Sequence, residues 1–271
     1  MIPFLALALL VGSAIVAVLL MLAVRRVSPQ GLFHDSVPGA AVFGVLGVAF
    51  AVILAFVMFL GFESYVRARE GASREAVAVT QLARVSRLFP DAQGEELRDA
   101  LGCYARAVIS DEWPLMREGG ESDVVLGWLA QIETTIDEMP IDDSASEVAL
   151  GHWLEEMAVR REGRRTRLAE SESTIPGAVW SMLILGAVLT VAYVVVFADR
   201  RERWWTQAVM IGSITALIVS GLLVINFLDR PYEADGAYIA PTEMETSARL
   251  IQDEVDDAGA QLPCDADGRP T

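Results

Sequence analysis

Four stretches of the chain, residues 2–24, 39–62, 176–198 and 205–228, hold no charged side chain and are built almost wholly from aliphatic, aromatic and small residues. Each is long enough, as a helix of roughly 35 Å, to cross a hydrocarbon core of about 30 Å with modest tilt. The pattern predicts four membrane-spanning helices. The first has no basic residues ahead of it and is followed directly by Arg25-Arg26, which reads as a retained anchor and not as a cleaved leader. Pro176 falls at the first turn of the third span, where a missing N–H leaves no bond unmade, and Trp204-Trp205 sit at the depth that amphipathic rings prefer.

Between the second and third spans the polar and apolar positions follow helical spacing, with no alternation of strand type. The second span continues without a breaker through Tyr65, Ala72, Val79 and Val85 to Phe89-Pro90. Further helices are predicted from about Ala92 to Ile109, ending before Trp113-Pro114; from Ser122 to Met139; and from Ser144, which with Glu147 has the capping-box form. The fold class is all-α: a polytopic membrane protein with four transmembrane helices and a helical extramembrane domain between helices 2 and 3. The chain divides into spans 1 and 2 within 1–62, the domain 63–175, spans 3 and 4 within 176–228, and an acidic tail 229–271. Residues 247–256 can form a short helix, and disorder is expected beyond Ala258.

Composition adds sidedness. The hydrophobic share is 53% and the net charge is −16, with arginine the sole cation type. A field of that sign excludes a generic nucleic-acid binder. The short loops carry Arg25, Arg26, Arg200, Arg201 and Arg203 against Asp35, Asp199 and Glu202. The positive-inside rule then places these loops in the cytoplasm and the acidic domain outside the plasma membrane. Arg160, Arg161, Arg164, Arg165 and Arg167 stand close to the third span on the domain side and pull the other way. If the domain lies outside, Cys103 and Cys264 share an oxidising compartment and can pair; in the cytoplasm they stay free thiols.

No phosphate loop, HExxH, GxSxG or metal-spaced Cys/His set is present, and no carboxylate lies within a span. No enzymatic activity, cofactor or metal is expected. The arginine stretch 160–167 reads as a headgroup contact, a set of intersubunit ion pairs, or a solvated helix face. Gln207 and Asn226, near the ends of the fourth span, read as interhelical hydrogen-bonding glue. On the second span, Phe43, Phe50, Leu54 and Val57 fall within about 40° of one line at 100° per residue, beside a small-residue stripe of Gly47, Ala51 and Ala55. Small stripes allow close helix packing, and the large stripe is a candidate lining for a hydrophobic constriction in an oligomer. Mere packing against helices or lipid is the plainer alternative.

The pair Glu75-Ala76 with Leu82 and Pro90, then Tyr104 and Val108 leading to Glu112-Trp113-Pro114, and Leu228-Asp229-Arg230-Pro231-Tyr232 with Gly236 and Pro241, resemble the bestrophin-like family of bacterial and plant integral membrane proteins. The Glu-Trp-Pro and Asp-Arg-Pro-Tyr stretches are its specific marks. On the residues themselves, Pro114 is expected to force Trp113 out of helical geometry, and Asp229-Arg230-Pro231 to end the fourth span with Arg230 near the helix C-terminus or headgroups. The resemblance implies a homo-oligomer, a pentamer, embedded in the bilayer, with an anion-conducting pore lined by the second span and the domain in the cytoplasm. The bestrophin calcium ligands find no match here. An oligomeric anion channel is the leading expectation; the alternative is a non-conducting interaction or sensor protein acting through its helical domain.

Overall fold

The computed structural model describes residues 2–27, 36–141, 144–197, 203–233 and 238–271. The loop charges Asp35, Asp199, Arg200, Arg201 and Glu202, and the family mark Gly236, lie outside the described residues. Along the chain run α1 (Ile2–Val27), α2 (Ser36–Ser86), α3 (Asp91–Ala107), a π-helical turn (Val108–Glu112), α4 (Trp113–Leu115), a 3-10 turn (Met116–Glu118), α5 (Asp123–Asp137), α6 (Ser144–Ala169), α7 (Gly177–Val196), α8 (Trp204–Asp229) and α9 (Thr242–Asp257). Among the described residues, four helices are long and apolar enough to cross a membrane. The protein is an all-helical, multi-span membrane protein.

The chain separates into two compact units: Met1–Ser64 with Ser173–Asp229, and Tyr65–Glu172 with Arg230–Thr271. The 51-residue α2 contributes to both. It spans about 76 Å, because nothing between Glu63 and Ser86 interrupts its hydrogen bonding.

In the membrane unit α1 packs on α7 and α8 through Ala17, Met21, Val195 and Ile211. Beside them, the Arg25 guanidinium donates to the Gln207 side-chain oxygen at 2.7 Å, so Gln207 joins α8 to the last turn of α1. A second cluster joins Phe50 and Val57 of α2 to Leu183, Ala187, Ile218 and Ile225. Asp229 does more than end α8. Its buried carboxylate accepts from the Ile175 backbone N–H at 2.9 Å, the Ser173 hydroxyl at 2.7 Å and the Trp180 indole at 3.2 Å, fastening the entry of α7.

The extramembrane unit closes around Leu82, Leu97, Tyr104, Trp113, Trp128, Ile132 and Trp153. Ser122 caps α5, its hydroxyl accepting from the Val125 N–H at 3.3 Å. Two local expectations fail. Trp113 keeps right-handed helical geometry before Pro114. The π turn supplies the reason: the Trp113 N–H bonds to the Val108 carbonyl, and the widened turn admits a proline that would clash in a regular helix.

The tail beyond Ala258 is also folded, not disordered. Cys103 and Cys264 form a disulfide, their Cα atoms 5.8 Å apart. The Asp265 carboxylate accepts from the N–H groups of Asp267 and Arg269, and the Trp128 indole donates to the Gly268 carbonyl at 2.7 Å. Gly268 has φ +77°, and a Cβ there would collide with the Ala107 nitrogen on α3, so only glycine fits. Composition alone misses such specific docking. Arg230, finally, pairs with Glu233 at 2.6 Å, and the Pro231 carbonyl accepts from the Ile239 N–H.

Candidate functional site

The large-residue stripe of α2 meets α7 and α8. Phe43 stacks on Tyr193 with ring centroids 5.9 Å apart. Phe50, 8% exposed, covers Gly186, where a Cβ would lie 2.5 Å from its ring. Leu54 lies over Gly221, where a Cβ would come within 3.0 Å, and Val57 is buried in the same cluster. Glycines on α7 and α8 thus receive the large side chains, the close approach by which membrane helices gain packing contacts. Phe43, Phe50, Leu54 and Val57 pack against other helices of the same chain. A Cβ on Gly47 would meet nothing within 4 Å, and Ala51 and Ala55 are exposed.

The opposite side of α2 carries Val45, Val48, Val52, Phe56 and Phe59, each 60–72% exposed. At 100° per residue these five lie within about 80° of arc, with the small stripe along their flank.

In the extramembrane unit a buried ionic network begins with two glycines. A Cβ on Gly163 of α6 would lie 2.6 Å from the Glu75 nitrogen on α2, and one on Gly71 would lie 2.9 Å from the Thr166 Cβ. Glu75 and Arg167 each stand one helical turn beyond the glycine that permits this approach. The Arg167 guanidinium donates to both oxygens of Glu75, at 2.6 and 3.0 Å, and to Glu112 at 2.5 Å. The Tyr104 hydroxyl donates to Glu75 at 2.5 Å, and Arg164 donates to Glu112 at 2.5 Å. Trp113 lies against the guanidinium of Arg167 at 5.0 Å, contacts Tyr232 edge-on, and donates its indole N–H to the Ile239 carbonyl. The Tyr232 hydroxyl donates to the Ala68 carbonyl at 2.8 Å.

Glu75, Glu112 and Arg167 are all fully enclosed. Burial opposes ionisation of Glu112, yet Arg167 and Arg164 outweigh it and hold its carboxyl below the usual range. Burial likewise works against the charged form of Arg167, and Glu75 and Glu112 overcome it and raise its pKa. Burial, reinforced by the Glu75 charge, raises the pKa of Tyr104 and keeps its hydroxyl a donor. The arrangement fixes charges in place and ties α2, α3, the π turn and α6 together. Within the arginine stretch, Arg164 and Arg167 pair inside the subunit, while Arg161 and Arg165 remain exposed.

Glu75, Tyr104, Glu112, Trp113 and Tyr232, marks scattered through the sequence, converge here. Arg167, the hub, was not singled out from its neighbours. Its signal is the spacing of Trp153, Met157, Arg160, Gly163 and Arg167, steps of three and four that continue a buried helix face.

Four apolar spanning helices and a helical extramembrane unit, joined through the unbroken α2, define a class of polytopic all-α membrane protein. The model of the bestrophin-like domain matches residues 10–238, and the chain belongs to the bestrophin-like family. Its fold is that of bacterial bestrophin homologues. A crystal structure of a point mutant of one from Klebsiella pneumoniae superposes with a TM-score of 0.68 at 17% identity, covering 92% of this chain and 98% of that one. A second structure of a Klebsiella pneumoniae homologue gives 0.66 at 16%, covering 95% and 99%. No curated relative matches the chain in sequence.

Proposed function

We propose that the chain assembles into a ring, a pentamer, whose α2 helices surround an anion-conducting pore. The observation that carries this reading is the open apolar face of α2: Val45, Val48, Val52, Phe56 and Phe59 stay 60–72% exposed among the described residues. The small stripe of Gly47, Ala51 and Ala55 flanks that face and suits close contact with the next subunit. A ring packed through the small stripe turns the larger side chains toward the axis, where a collar of valine and phenylalanine gates by dewetting. Likeness to bestrophin homologues supports the channel class. In the non-conducting alternative an apolar groove on the extramembrane unit would receive a partner; a cleft there carries arginines and glutamates beside Leu129 and Leu168.

The extramembrane unit faces the outer side of the plasma membrane in this reading. The Cys103–Cys264 disulfide and the arginine excess of the short loops both support that placement.

The test is conductance of the purified protein in planar bilayers, together with its mass in native detergent micelles. Phe56→Ala raises or deregulates anion current, whereas Phe50→Ala, beneath α7, acts through stability alone. A silent bilayer at high protein load, a monomer, or a current indifferent to Phe56→Ala refutes the proposal.

A further inference from the structure

We propose that a cleft of about 660 Å³ on the extramembrane unit binds a small soluble oxyanion, a carboxylate or a phosphate, with Arg160 as its buried anchor. Arg160, Arg161, Arg164 and Arg165 line it, together with Glu121, which pairs with Arg164 at 3.3 Å, Glu133 and Glu172.

The three inward-facing arginines of α6 are not alike. Arg164 and Arg167 are neutralised by Glu112 and Glu75. Arg160 is 3% exposed, and its Nε is enclosed with no hydrogen-bond partner. Among the described residues no carboxylate lies within ion-pair distance of it. Its one organised contact is with the Tyr104 ring, 5.6 Å from the guanidinium carbon to the centroid. A guanidinium does not lose its proton in a protein, and a buried cation without a counter-charge is strongly disfavoured. The cation–π contact offsets only part of that. The outstanding partner is an anion, and the cleft that Arg160 lines is its way in.

The geometry selects the class of anion. The planar fork of N–H groups matches two oxygens of one carboxylate or phosphate better than it matches a halide. Exposed Arg161 and Arg165 add charge at the same cleft, with no ion pair of their own among the described residues. Glu133 and Glu172 on the lining repel extended polyanions and favour a small ligand carrying a single charged end. This assignment is independent of whether α2 conducts.

The test is calorimetric titration of the full chain in detergent with inorganic phosphate and with acetate, chloride holding the ionic strength constant. Saturable binding is expected, weakened at least tenfold by Arg160→Met and severalfold by the exposed double variant Arg161→Gln/Arg165→Gln. No saturable binding of either probe overturns the proposal, as does unchanged affinity in folded Arg160→Met. Should that variant fail to fold, the double variant decides alone, and unchanged affinity there is equally fatal. Binding seen only with added anionic lipid, and with neither free probe, overturns the assignment of a soluble ligand.

Discussion

Replacing Arg167 with methionine removes the cation that Glu75 and Glu112 share in a fully enclosed site. Glu112 keeps Arg164, but Glu75 is left with the Tyr104 hydroxyl. Breaking a buried pair from one side typically costs about 3–5 kcal/mol, and the variant should lose stability on that scale. The Glu112 carboxyl is held below its unfolded value, so its contribution is complete above about pH 4.3 and is lost as the pH falls through the depressed folded value. Urea unfolding of the extramembrane unit in detergent, followed by pulse proteolysis, measures both. Adding Glu75→Leu should recover at least half the loss, since an apolar replacement leaves no unpaired charge. A deficit below about 1 kcal/mol at pH 7 refutes the claim that Arg167 neutralises Glu75.

Gly163→Ala places a Cβ 2.6 Å from the Glu75 nitrogen and should destabilise the same unit by about 1–3 kcal/mol; an unaltered unfolding midpoint contradicts the close crossing of α2 and α6. Cys264→Ser releases the tail from α3, with a loss of about 2–5 kcal/mol and slower migration on non-reducing gels of native membranes. Unchanged migration argues against both the disulfide and the outer placement. Asp229→Ala deprives Ile175, Ser173 and Trp180 of their acceptor; each hydrogen bond to a charged group is worth about 1.5–3 kcal/mol, and thermal aggregation in detergent should begin well below that of the wild type. Equal onset temperatures would show that the entry of α7 is held by other contacts.

The spans were readable because lipid imposes a one-dimensional rule: a helix without charges and about 30 Å long must cross, whatever its partners. The unbroken continuation of α2 and the Ser122 cap were readable for the same local reason, since helix propagation and capping depend on residues within a turn. The face of α2 that packs internally was not. Periodicity grouped Phe43, Phe50, Leu54 and Val57 correctly, but whether a stripe meets another helix or an open space depends on Gly186 and Gly221, more than 100 residues away in sequence. The family marks Glu75, Tyr104, Glu112 and Tyr232 stood out one by one, while Arg167 looked like its neighbours in the basic stretch. Only the glycine-permitted crossing of two helices turned Arg167 inward and left Arg160 buried without a partner. The tail shows the same division. Its acidic, glycine-containing composition favours disorder when averaged, and a disulfide, an aspartate-capped turn and one positive-φ glycine at specific places on α3 and α5 overrule the average. Chain-local physics therefore decided which segments are helices and which lie in lipid. The pairing of distant side chains, which depends on close approach in three dimensions, decided which of their faces and charges remain available.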